Sequence, residues 1–216
     1  MRRTQGISLP SVLALLALTA LGSLLVVRLL WQQERLLKLD AERVRNRALA
    51  EAVMDLALQD WLGTSLSPSD TRHQMGDLTQ THVFFPTTLA ELDVLRQRLA
   101  GRACREGICA PTDTLTAEQA LTHASLSSWL LRTAEAWSVP STALPDAAAQ
   151  AWYWVEIWAD AQDLALGEPA PRFHVRVTAL VQGTLPGARM AWQGLWRRDG
   201  ANSAAGHWSS WHALDP

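Results

Sequence analysis

Residues 7 to 27, ISLPSVLALLALTALGSLLVV, form a run of 21 uncharged and mostly apolar positions. As an α-helix such a run is about 31 Å long, the thickness of the hydrocarbon core of a bilayer. Helix-compatible sequence continues beyond it. From Arg28 to Trp61 there is neither Pro nor Gly, and Leu, Ala, Glu, Arg and Gln dominate. Pro10 fits the first turn, where a missing N–H costs no intrahelical bond. In the second half apolar residues recur at helical spacing, first Leu37, Ala41, Val44 and Ala48, then Leu49, Ala52, Val53, Leu56 and Ala57. The pattern predicts one helix over residues 7–61, transmembrane over 7–27, whose later part lays an apolar stripe against a globular domain over 62–216. A cleavable export signal is the competing reading, with TALGS at 19–23 as its small-residue cleavage site, but LLVV carries the apolar run past that point.

With 216 residues, the chain has enough sequence after this helix for one domain with a core of its own. Its formal charge is -2, and Lys and Arg are interspersed with acids, so there is no basic face of the kind nucleic acid requires. Eleven Trp against one Tyr and three Phe point to a Trp-rich core or to a partner surface, core filling being the simpler use.

After Trp61 the composition turns to Gly, Pro, Ser and Thr, which reads as a connecting loop. Thr88 to Glu91 reads as a capping box opening a helix to about Leu99, and Thr116 to Gln119 as a second one before a helix reaching Trp137. The strands come late. AWYWVEIW at 151–158 is aromatic and β-branched on both faces, and Phe173, Val175, Val177, Ala179 and Val181 alternate with polar neighbours. A Pro186-Gly187 turn leads to a strand with Met190, Trp192 and Trp196 on one face, and HWSSWHAL offers a fourth. The expected fold is α+β, a long helix packed on a C-terminal antiparallel sheet.

Cys104 and Cys109 are the only cysteines, with Gly107 between them to supply a tight turn. An exported domain would oxidise this pair, closing a ring worth roughly 2 kcal/mol of loop entropy. Neither zinc-finger spacing nor a C-x-x-C redox pair is present. No H-E-x-x-H, G-x-S-x-G, P-loop or Gly-rich dinucleotide loop occurs either, so no catalytic residue, metal or cofactor is assigned. His207 and His212, flanking WSSW, read as exposed or core-edge histidines.

A short basic leader ending in Gly6, then an uncharged helix that becomes amphipathic, is similar to the layout of type IV prepilins. Within QQERLLKLDAERVRNRALAEAVMDLALQDW, the residues Glu34, Arg35, Arg45, Asn46, Ala50 and Glu51 resemble in order the amino-terminal region of PilX-type minor pilins. ACREGICAP resembles the short Cys loop of that family, and RFHVRVTALVQGTLPGARMAWQGLWRR its closing strand pair. The resemblance implies a leader over residues 1–6, cleavage by a prepilin peptidase between Gly6 and Ile7, and N-methylation of Ile7. It implies residence in the inner membrane with a periplasmic domain, then a place at the pilus tip. The implied partners are other minor pilins, the major pilin, a tip adhesin and the inner-membrane assembly platform.

Pilins generally carry Glu at the fifth mature position, and here that position is Ser11. A first subunit has no predecessor whose amino terminus needs neutralising, which suits a place at the tip. K-type pseudopilins of type II secretion share the missing Glu and form the nearer alternative, although they usually carry a larger inserted domain. An exported binding or enzyme domain is the more distant one. The count of Lys and Arg, two before the segment and more after it, taken alone would put the amino terminus outside. The cysteine pair and the resemblance argue for the opposite orientation.

Overall fold

The computed structural model describes residues 9–64, 71–76, 81–110, 126–166, 172–184, 188–199 and 205–214. The chain divides into two compact units, Met1–Val44 and Arg45–Pro216. Helix α1 runs from Leu9 to Trp61, 53 residues. In the first unit its Leu and Val side chains are exposed on every side. With a mean hydropathy of 2.3 over its most apolar window, α1 is long and apolar enough to cross a membrane. Two hydroxyls within this stretch are satisfied by the helix itself. Thr19 Oγ1 donates to the Leu16 carbonyl at 2.9 Å and Ser23 Oγ to that of Thr19 at 2.9 Å, so these groups need no partner from lipid. Glu34 and Lys38 form an exposed i,i+4 ion pair at 2.7 Å.

In the second unit the buried stripe of α1 is Asn46, Leu49, Ala50, Val53, Met54, Ala57, Asp60 and Trp61. The expected earlier stripe is not buried, since Leu37, Ala41, Val44 and Ala48 are all exposed. At about 100° per residue those four positions lie on nearly the opposite side of the helix. The periodicity was real, but apolar spacing alone does not say which side meets a partner. Leu49, Val53 and Ala57 are buried as expected, while Ala52 and Leu56 are only half-buried.

The second unit adds short elements before the main strands. Helix α2 spans Leu89–Leu99 and buries Leu92, Leu95 and Leu99. Its cap is the expected one, Thr88 Oγ1 accepting from Glu91 N at 3.2 Å, while the Glu91 carboxylate reaches back to Thr87 N at 2.6 Å. Strands β1 (Cys104–Arg105), β2 (Ile108–Cys109) and β3 (Trp137–Ser138) are two residues each. Helix α3 is Leu126–Leu130, and α4 is Ala161–Leu166. The helix expected to reach Trp137 therefore ends at Leu130, and Trp137 pairs with Tyr153 as strand. Pro140 disfavours helical backbone at Val139 and helps to hold this stretch extended. The capping box expected at Thr116–Gln119 and the Pro186-Gly187 turn lie outside the described residues.

Four long strands, β4 (Gln150–Ala159), β5 (Phe173–Gln182), β6 (Arg189–Arg198) and β7 (Gly206–Ala213), form an antiparallel meander. The order is β1-β2-β4-β5-β6-β7, with β2 parallel to β4 and β3 also paired to β4. The sheet is thus wider than the three or four strands expected, because two-residue strands carry no readable alternation. Phe173, Val175, Val177, Ala179 and Val181 form the core face of β5 with α1, as their alternation predicts. Gly194 is required where α1 crosses β6, since a Cβ there would lie 2.8 Å from Met54 Cε and 2.9 Å from the Trp208 ring.

Asp60, in the last turn of α1, is 6% exposed. Arg72 Nη2 donates to it at 3.1 Å and the Tyr153 hydroxyl at 2.5 Å, and the Arg72 guanidinium lies 3.4 Å from the centre of the Trp137 ring. Burial, followed by the Asp60 charge, pushes the Tyr153 phenol well above its ordinary range, so it remains a donor. This cluster ties the end of α1 to β4. Removing one charge strands the other in the core. Asp60→Ala is therefore expected to destabilise the domain by about 3–5 kcal/mol, and Tyr153→Phe by about 1–2 kcal/mol. Denaturant unfolding of the full chain in detergent, followed by Trp fluorescence, measures both; a wild-type midpoint for Asp60→Ala would contradict the assignment.

Candidate functional site

The sequence singled out two regions, the amino-terminal processing site and the cysteine loop. Gly6 and Ile7 lie outside the described residues. Ser11 is in the first turn of α1 and exposed, in the first unit, whereas both cysteines belong to the second.

Cys104 and Cys109 are joined, as expected, and each is 1% exposed. They face each other across the β1–β2 hairpin, Cα to Cα 4.1 Å. The two loop residues, Glu106 at φ 52° and Gly107 at φ 78°, both have left-handed backbone, the pairing a two-residue hairpin of type I′ demands. Gly107 is also wedged into the sheet. Its N–H donates to the Glu135 carbonyl at 2.8 Å, and its carbonyl accepts from Val155 N at 2.7 Å. A Cβ there would sit 2.7 Å from Trp137 Cβ and 2.9 Å from Trp137 N.

The disulfide thereby enters a second core on the sheet face turned away from α1. Cys104 and Cys109 cluster there with Trp129, Trp154, Leu180, Ala191 and Leu214, and the Trp129 and Trp154 rings are 4.9 Å apart. Arg132 Nη2 donates to Cys104 Sγ at 2.7 Å. Beside this core the same face buries polar groups. Glu156 and Arg176 form a two-bonded ion pair, Nη2 to Oε1 at 2.8 Å, and Gln193 Nε2 donates to Thr178 Oγ1 at 2.8 Å. At the strand ends, Arg172 holds the Asp163 carboxyl at 2.9 Å and lowers its pKa to about 2, and Asp160 pairs with His174 at 2.6 Å. Among the described residues no group of three or more His, Cys, Asp and Glu side chains converges as a metal site would.

Residues that carried the family resemblance have identifiable contacts. Arg45 is ion-paired with Asp146, Asn46 Nδ2 donates to the Ala188 carbonyl at 3.4 Å, Ala50 is fully buried, and Glu51 pairs with Arg47 at 3.0 Å. Four Trp (61, 129, 154 and 196) are buried, Trp31 is exposed, and the other six are half-buried. The sequence missed the Asp60–Arg72–Tyr153 cluster. Its one available signal was the single Tyr of the chain at a core-facing position between Ala151 and Val155.

No family model, curated protein or solved structure matches the chain.

Gly107→Ala combines left-handed strain with overpacking and is expected to destabilise the domain by roughly 2 kcal/mol or more. Asn at this position tolerates the backbone but not the contact with Trp137. Thiol labelling after partial denaturation without reductant, compared with the unfolding midpoint, checks this; full stability in Gly107→Ala would contradict the wedge.

Proposed function

We propose that this chain is a PilX-like minor pilin, an assembly subunit rather than an enzyme, which helps prime type IV pilus formation and takes a place at or near the pilus tip. The observation that carries the reading is α1, one unbroken helix that is apolar on all sides from Leu9 to Val27 and whose last four turns bury one face in an α+β domain. A cleaved export signal has no use for helix beyond its cleavage site, and a plain anchor has no use for continuity into the domain core. The disulfide favours an oxidising compartment for that domain.

On this reading prepilin peptidase cuts after Gly6, and the protein waits in the inner membrane with its domain in the periplasm. The assembly platform then extracts it together with other minor pilins, ahead of the major pilin and beside a tip adhesin. Ser11 is compatible with such a first position because no earlier subunit's ammonium needs a carboxylate there, and an unpaired buried carboxylate is costly.

Incorporation is counted by immunoblot of sheared filaments, normalised to the major pilin. Loss of the chain is expected to reduce surface filaments, Ser11→Ala to leave them nearly unchanged, and Ser11→Glu to give no gain. Absence of the chain from filaments together with normal filament numbers in its deletion strain would overturn the reading. A several-fold rise in incorporation with Ser11→Glu would overturn the tip position.

A further inference from the structure

Strand β7 ends the sheet, and among the described residues nothing hydrogen-bonds to its outer edge. The far side of the sheet is finished differently. There β4 is covered by β2 and β3, two residues each, and β2 leads into the disulfide-tied hairpin. Long edge strands are ordinarily blunted by Lys, Pro or other charge. GHWSSWHA contains no Lys, Arg, Asp, Glu or Pro over its eight residues.

The six central residues, His207-Trp208-Ser209-Ser210-Trp211-His212, read the same in both directions. A closed two-fold interface requires a self-complementary surface. When this strand runs antiparallel to a second copy with Ser209 bulged out of the ladder and the axis through Ser210, His207 faces His212 and Trp208 faces Trp211, each pairing occurring twice, and Ser210 faces its own copy.

The ladder to β6 contains the bulge that this register requires. Leu195 pairs with Ser210 but Trp196 with Trp208, so Ser209 is an extra residue at an irregularity. Side chains three apart on a regular strand point to opposite faces. Here Trp208 and Trp211 come to the same face, ring centroids 5.2 Å apart, with Trp192 5.9 Å from Trp211. All three are half-buried. Two copies would set four indoles in one row across the axis, the aromatic cross-strand pairing that stabilises antiparallel ladders.

We propose that β7 is a homodimer interface, in which two copies pair antiparallel through HWSSWH and join their sheets. The pairing is independent of the assembly role proposed above. A strand from a different subunit could use the same main-chain edge but would make no use of the palindrome.

The test uses the full chain in its membrane. The native cysteines are tied to each other and no described cysteine is free, so Ser209→Cys supplies the one reactive thiol beside the axis. Mild oxidation is expected to give a species of twice the chain mass on a non-reducing gel, while Leu131→Cys, 88% exposed and off β7, remains at background. Ser209 is exposed and tolerates a longer side chain, so Ser209→Lys, which brings two ammonium groups together beside the axis, is expected to weaken dimerisation at least tenfold by sedimentation in detergent. Retention of the Cys104–Cys109 bond in each variant verifies folding. Cross-linking of Ser209→Cys no greater than that of Leu131→Cys, a monomeric wild type, or a Ser209→Cys adduct of another mass would overturn the proposal.

Discussion

The packing of Ala50, Val53, Met54, Ala57 and Trp61 onto the core face of β4, β5 and β6 is what the rest of the globular unit is arranged around. A helix and a sheet each have an apolar side that neither can bury alone. The contact is close enough that β6 must carry Gly at 194 beneath Met54, and Trp61 meets Trp196 edge to face at 5.2 Å. Asp60 would be an unfavourable charge at a helix C-terminus. Arg72 and Tyr153 turn it into the fastening between helix and sheet.

With one face committed to α1, the remaining problem is the other face and the two edges. The short disulfide hairpin addresses two of these together. It places Cys104 and Cys109 against Trp129 and Trp154 and, through Gly107 and Val155, closes the outer edge of β4. A ring of this size contributes roughly 2 kcal/mol of loop entropy, and beyond that it holds a two-residue strand pair where a longer strand would otherwise be needed. The β7 edge has no equivalent closure among the described residues.

The long strands and the run of α1 were legible in the sequence because ten-residue alternation and a Pro-free, Gly-free span are long-range signals. The orientation of α1 was only partly legible. Leu37, Ala41, Val44 and Ala48 make a good helical stripe that lies opposite the one the sheet covers, and Met54 and Trp61 complete the buried side. Trp137 was misplaced in a helix because its strand is two residues long and is defined by Tyr153, far away in sequence. The disulfide was readable from spacing and Gly107. Its burial against Trp129 and Trp154 was not, since nothing local distinguishes one face of AWYWVEIW from the other.

The assembly reading depends on α1 being kept whole in the mature protein, from a point just before Leu9 into the domain core. Amino-terminal sequencing and intact mass of the protein purified from membranes test this most directly. The expected product begins at an N-methylated Ile7 and contains all of α1. A mature chain beginning near Ser23 would mean that the apolar run is a discarded signal, and an intact Met1 would leave a simple anchor; either would contradict the assembly reading.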